Sequence, residues 1–242
     1  MNDTRVYHWT GGCGLFAMGL FLVEFPLYFL RGPMPSLTAT NLGAYSARNA
    51  TNMLMVVFLD MLIYFLFLAF LAGFRHLVRQ ARPECEWVGT LVFGTGVAYS
   101  TLTLVADSLE GTIALDAISS SPDPSAIRVL MESQYLMFGS VGLMLIALLL
   151  ASASYASMAS KALPNWTSWL GYAGTVLCLL FVPSMFAGAP DLTAFYNPAG
   201  WGTTGVIAGF PLAIWVIAVA VLMVRKRDTG LCAHRVDIGA LV

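Results

Sequence analysis

Long apolar runs separated by short polar stretches, rather than alternating positions, make up this chain. Six runs are long enough to cross a hydrocarbon core of about 30 Å as helices rising 1.5 Å per residue. They cover about Gly11–Leu30, Asn52–Phe74, Val88–Ala117, Val129–Tyr155, Trp166–Ala187 and Thr204–Val224. The third and fourth exceed that thickness and are expected to tilt or project. A transmembrane barrel would show alternating segments of roughly ten residues, and none occur. The pattern predicts an all-α, polytopic transmembrane helical bundle of six spans. Residues 1–228 form one domain in this reading, and 229–242 a short cytoplasmic tail.

The third run becomes acidic in its second half. Thr95, Tyr99, Thr103 and Asp107 recur every fourth residue and Glu110 follows three later, so one helical face carries a polar ladder. Carboxylates at membrane depth are expensive and usually functional.

Composition agrees with the pattern. The 242 residues are 58% hydrophobic and 10% charged, where a soluble domain has about a quarter charged; mean hydropathy is +0.77. A formal charge of −1 offers no basic face for nucleic acid. The first run contains Glu24 and Pro26 with no small-residue cleavage pattern behind it, so it reads as a retained helix. Cys13, Cys85, Cys178 and Cys232 are scattered without CxxC spacing, and no disulfide is expected.

Lys and Arg set the orientation. With the amino terminus inside, Arg5, Arg75, Arg79, Arg82, Lys161, Arg225, Lys226, Arg227 and Arg235 are cytoplasmic, against Arg31, Arg48 and Arg128 outside. Both termini are therefore expected in the cytoplasm. The outer loops are then Arg31–Thr51, Ser119–Arg128 and Gly188–Gly202. The last carries Phe195, Tyr196 and Trp201 and reads as an interfacial aromatic belt rather than a lid over a cavity. The sequons at Asn49 and Asn165 are discounted as chance matches. Spans one to three do not resemble four to six, so no inverted repeat is expected. A weaker echo, Trp9-x-Gly11-x-x-Gly14 and Trp169-x-Gly171-x-x-Gly174, is explained by close packing of small residues.

Several stretches together resemble an uncharacterised family of bacterial six-helix membrane proteins, catalogued as domain of unknown function four-three-eight-six. They are FPLYFLRG (Phe25–Gly32), NLGAYSARNA (Asn41–Ala50), LDMLIYFLFLAFL (Leu59–Leu71) and PNWTSWLGYAG (Pro164–Gly174). The resemblance covers about residues 7–190 and departs from the family in the polar third helix. It implies a six-helix architecture in a bacterial cytoplasmic membrane, and no reaction.

Of 13 acidic residues, Glu24, Asp60, Asp107, Glu110, Asp116 and Glu132 fall within the spans or at their ends. In the proposed orientation all six lie in the outer half of spans one to four or at their outer ends. Glu24 precedes Tyr28 by four residues, Asp60 precedes Tyr64 by four, and Glu132 precedes Tyr135 by three. A tyrosine on the same face can donate to the carboxylate and hold its rotamer. The plain alternative is a set of interhelical polar contacts, about 0.6 kcal/mol each. No basic residue lies inside the spans, so the acids are expected to be neutral, solvated or bound to a cation.

His8, His76 and His234 avoid mid-span positions, which argues against intramembrane haem or zinc. Neither Walker, GxSxG nor HExxH spacing occurs. The Met- and Phe-rich second span reads as packed or lipid-facing. Two function classes stay open. One is an acid–base enzyme, of isomerase or cyclase type, acting on a lipophilic small molecule without cofactor or metal. In it Glu24 or Asp60 is the general acid and Asp107, Glu110 or Glu132 the counter-base, with Tyr28, Tyr64, Tyr99, Thr103 and Tyr135 binding or orienting. The other is a proton- or cation-coupled carrier, or an accessory or ligand-binding subunit of a membrane complex. The expected surroundings are the lipid bilayer and a lipophilic small molecule.

Overall fold

The computed structural model describes residues 3–32, 42–119 and 123–225. The predicted tail, Cys232, His234 and parts of the first two outer loops lie outside these. The fold is all-α, and among the described residues six helical stretches are long and apolar enough to cross a membrane. Helix is what such runs must form, because a hydrocarbon core offers no partner for an open N–H or C=O.

Helix α1 is Asp3–Leu30, α2 is Leu42–Ala81 and α3 is Glu86–Ala117. Next come α4, Pro124–Leu136, and α5, Gly142–Ser160, which together make one span. A wide turn at Met137–Val141 joins them, with Gly139 at φ −75°, ψ −116°. Helix α6 is Asn165–Phe181 and α7 is Phe210–Arg225. The residues write their own boundaries. Asp123 caps α4 by accepting from the Ser125 N–H at 2.8 Å, and Pro124 follows where no donor is needed. Lys161, at φ 55°, ends α5 in the left-handed conformation, and Pro164 follows.

Two expectations change. Helix α2 begins at Leu42 rather than near Asn52, so part of the expected outer loop is helix. Span four is not one straight tilted helix, since the non-helical Gly139 breaks it. At Gly139 a side chain would stand 3.0 Å from the Pro198 carbonyl, so the break lets the helix approach the 188–200 loop.

The spans close a ring in the order α1, α2, α3, α5, α6, α7, with α7 returning to α1 and α4 lying on α3. The main core gathers Phe70 and Phe74 of α2 around Trp215 of α7, edge-to-face at 6.3 and 5.7 Å, with Leu143, Ile146 and Leu149 of α5 beside them. A smaller cluster, including Leu42, Met53, Ile113 and Ile127, sits near the start of α2 and the end of α3. Small residues permit the closest approaches. A Cβ on Gly11 would meet the Ala220 carbonyl at 2.7 Å, and one on Gly171 would run into Ser154. Both arms of the sequence echo thus face neighbouring helices. Between the two apolar clusters lies a level of carboxyl groups.

Candidate functional site

All five rungs of the α3 ladder are buried. Thr95, Tyr99, Thr103, Asp107 and Glu110 face inward, Asp107 with 1% exposure. Three Thr and Ser hydroxyls on the opposite face, at Thr101, Ser108 and Thr112, bond back to carbonyls four residues earlier. The helix is thereby polar inward without leaving open hydroxyls outward.

Glu24 of α1 and Asp60 of α2 meet the ladder at the same level. The Glu24 carboxyl lies within hydrogen-bonding reach of Asp60 and of the Tyr28 hydroxyl. Asp60 in turn reaches Asp107. Both Asp107 oxygens are buried without a donor hydrogen-bonded to them, as is Glu24 Oε2. An ionised carboxylate only accepts, so two carboxyls in reach join only through a shared proton. Glu24, Asp60 and Asp107 therefore form a file of three acids from α1 through α2 to α3. Tyr64 and Tyr99 continue it, their rings edge-to-face at 6.0 Å, with Thr103 against both hydroxyls.

Glu110 plays a different part. Its Oε2 accepts from Gln134 Nε2 at 2.6 Å, and its Oε1 lies 2.6 Å from Arg31 Nη2. The expected absence of a basic partner is thus overturned. Arg31 stands at the end of α1, and its long stem folds back over the acids instead of reaching away. Its Nε donates to Asn52 Oδ1 at 2.7 Å, its guanidinium stacks 4.7 Å from the Tyr28 ring centre, and Asn52 Nδ2 donates to the Leu27 carbonyl at 3.0 Å. Its side chain is 12% exposed and that of Glu110 is 4%.

Glu132, expected with the others, is turned to the outer face. It pairs with Arg128 four residues earlier at 2.8 Å, and neither side chain is buried. The reason is azimuth. On α4, Met131 and Gln134 face inward, which leaves the position between them outside. Tyr135, its sequence partner, does reach the site. Asp116 lies at the end of α3 and accepts from the Asp123 N–H at 3.4 Å.

Glu24, Asp60 and Glu110 open onto a cavity of about 740 Å³. Tyr28, Tyr64, Tyr99 and Tyr135 line it, whereas Asp107 and Thr103 stand one layer behind the wall. The rest of the wall is apolar and largely aromatic, with Phe21, Phe25, Phe67 and Phe210 prominent. Leu192, Thr193, Ala199 and Trp201 also contribute, so the last loop covers the cavity as well as presenting aromatic rings. Asn197, buried, holds that loop. It accepts from the Asp191 and Ala199 N–H groups at 2.9 and 3.1 Å and donates to the Ala189 carbonyl at 2.9 Å. Among the described residues no cluster of His, Cys, Asp and Glu has the arrangement of a metal site.

Sequence reasoning missed Arg31, Asn52, Gln134 and the covering loop. Arg31 carried a signal, since it directly follows the apolar run that holds Glu24 and Tyr28. Gln134 carried none, because its role depends on α4 lying against α3. Compared with family models, curated proteins and solved structures, the chain finds no match.

Proposed function

We propose that this is an integral membrane enzyme of a bacterial cytoplasmic membrane that acts by acid–base catalysis on a lipophilic small molecule. The observation that carries this reading is the file Glu24–Asp60–Asp107 ending on a largely apolar cavity. A pocket of several hundred Å³ with a few convergent polar groups is the usual form of a small-molecule site. Proton transfer needs an acid and a base at one wall, and here two carboxyls stand there with a third behind.

In this reading Asp60 gives its proton to a carbon–carbon double bond of the substrate, and Glu24 removes one from a neighbouring carbon. The bond shifts or a ring closes with no net change in protons, and the Glu24–Asp60 contact returns the proton to Asp60. Tyr28 orients Glu24, while Tyr64 and Tyr99 fill the inner wall. Glu110, held by Arg31 and Gln134, is an anchoring anion and not the base. With the excess of Lys and Arg inside, the acid end faces outward.

Carbon protonation in heavy water leaves deuterium in the product, so the substrate need not be known beforehand. The protein in nanodiscs, incubated with a bacterial lipid extract in heavy water, should label at least one lipid species. Glu24→Gln and Asp60→Asn, each folded by its thermal transition, should abolish the label. Unchanged labelling in both variants would end this assignment.

A carrier is the second reading, favoured by the continuation of the file through Thr103, Tyr99 and Tyr64. Uptake by proteoliposomes driven by a pH gradient, with no deuterium labelling, would select it.

A further inference from the structure

The cavity has two unlike ends, and each constrains the ligand. At one end Glu24, Asp60 and Glu110 line the cavity, with Asp107 one layer behind, and among the described residues one guanidinium lines it. That guanidinium, Arg31, is already 2.6 Å from Glu110 and bonded to Asn52. An anionic head group would have to displace Glu110 and would face two further acids at the wall. Glu24 lines the cavity, is 3% exposed and holds Oε2 without a donor. A buried acceptor in that state favours a donor from the ligand. Toward the other end the wall passes to Met18, Phe67, Leu212 and Ala213. Along α1 the lining runs from Met18 to Phe29, roughly 16 Å at 1.5 Å per residue. An extended hydrocarbon chain fits that shape better than a compact polar solute.

The side of the bundle supplies an entrance. Helices α1 and α7 touch backbone to backbone at Gly11, where Ala220 and Val224 abut. Nearer the cavity the contact passes to rings: Phe21 and Phe25 lie 6.5 and 5.5 Å from Phe210, and Phe25 lies 5.2 Å from Phe29. Phe29 is 72% exposed on the surface that would meet lipid. Side chains can swing aside where packed backbones cannot, so this row of rings separates cavity from bilayer by a movable barrier.

We propose that the cavity takes a single-chain amphiphile, whose head group donates hydrogen bonds and carries no negative charge, sideways from the bilayer between α1 and α7. An amine or an alcohol fits; a sulfate or phosphate monoester does not. This deepens the enzymatic reading of the same site but concerns recognition alone, so it can stand or fall separately.

Trp201 lines the cavity and provides the readout. Octadecylamine, octadecanol and octadecyl sulfate, each brominated at mid-chain, are added to the protein in zwitterionic nanodiscs. Quenching of Trp201 is taken as the difference between wild type and Trp201→Phe. The amine and the alcohol should quench at concentrations at least about tenfold lower than the sulfate, a difference of about 1.4 kcal/mol. Phe210→Ala should speed the onset of quenching, while Phe65→Ala, on the exposed face of α2, should leave it unchanged. Equal or better binding of the sulfate would overturn the proposal, as would the absence of Trp201 quenching by all three. Selective quenching without deuterium labelling would keep this inference and remove the enzymatic one.

Discussion

Replacing Arg31 by Met tests the architecture of the site most directly. The substitution keeps much of the stem but removes the cation beside Glu110, whose side chain is 4% exposed. Deleting one partner of a buried pair leaves an uncompensated charge and costs about 3–5 kcal/mol. Gln134 still donates to Glu110 at 2.6 Å, which favours the low end, about 3 kcal/mol. For a chain of this size that corresponds to a fall in Tm of roughly 6–12 °C. Glu110→Gln should be milder, about 1 kcal/mol, because Arg31 sits at a helix end and can swing its head toward water. The double variant should resemble Glu110→Gln rather than the sum of the two, since no buried charge is then left alone. Thermal transitions in detergent followed by intrinsic fluorescence, to which the fully buried Trp215 contributes, would measure all three. A fall below about 3 °C for Arg31→Met would refute the reasoning, and so would strict additivity in the double variant.

Four further outcomes are expected. Gly11→Ala should destabilise by about 1–3 kcal/mol, because its Cβ meets the Ala220 carbonyl at 2.7 Å, whereas Gly12→Ala, with open space around it, should be neutral or stabilising; the same thermal assay ranks them, and equal transitions would contradict the α1–α7 contact. Glu132→Gln should change stability by no more than about 0.5 kcal/mol, as befits an exposed i,i+4 pair, and should leave ligand quenching intact. Asn197→Ala should release the covering loop, seen as faster hydrogen exchange over 188–200 and weaker quenching by the amine, with protection unchanged across α5 serving as the folding control. Within that loop the Thr193 hydroxyl and backbone N–H hold the Asp191 carboxyl below its usual 3.8. A depressed carboxyl stabilises the folded form above its unfolded value, so this loop's protection should persist to pH 3.8 and fade as pH drops further through the folded value.

How much was legible in the residues varies by feature. Each long helix follows from an apolar run, and Glu24, Asp60, Asp107 and Glu110 stand out as carboxyls within such runs. Periodicity places the α3 ladder on one face, and the structure turns that face inward. Glu132 shows where periodicity stops: a carboxyl near a span end satisfies the same pattern whether its helix turns it in or out. The packing of α4 on α3 decided that Gln134 rather than Glu132 meets Glu110. Arg31 shows a second limit, since a residue assigned to a loop by its charge can fold its stem back across one helical turn.

The sequence by itself therefore determined the all-α class, the six apolar spans and the presence of buried acid, because a hydrocarbon core leaves helix as the only form that satisfies those backbones and makes every carboxyl within it conspicuous. The tertiary structure alone decided which acids meet, which one is neutralised by Arg31, and that the last loop closes over a cavity. Those depend on the rotation of each helix about its axis and on the break at Gly139, and both are set by neighbouring helices rather than by the pattern along any one of them.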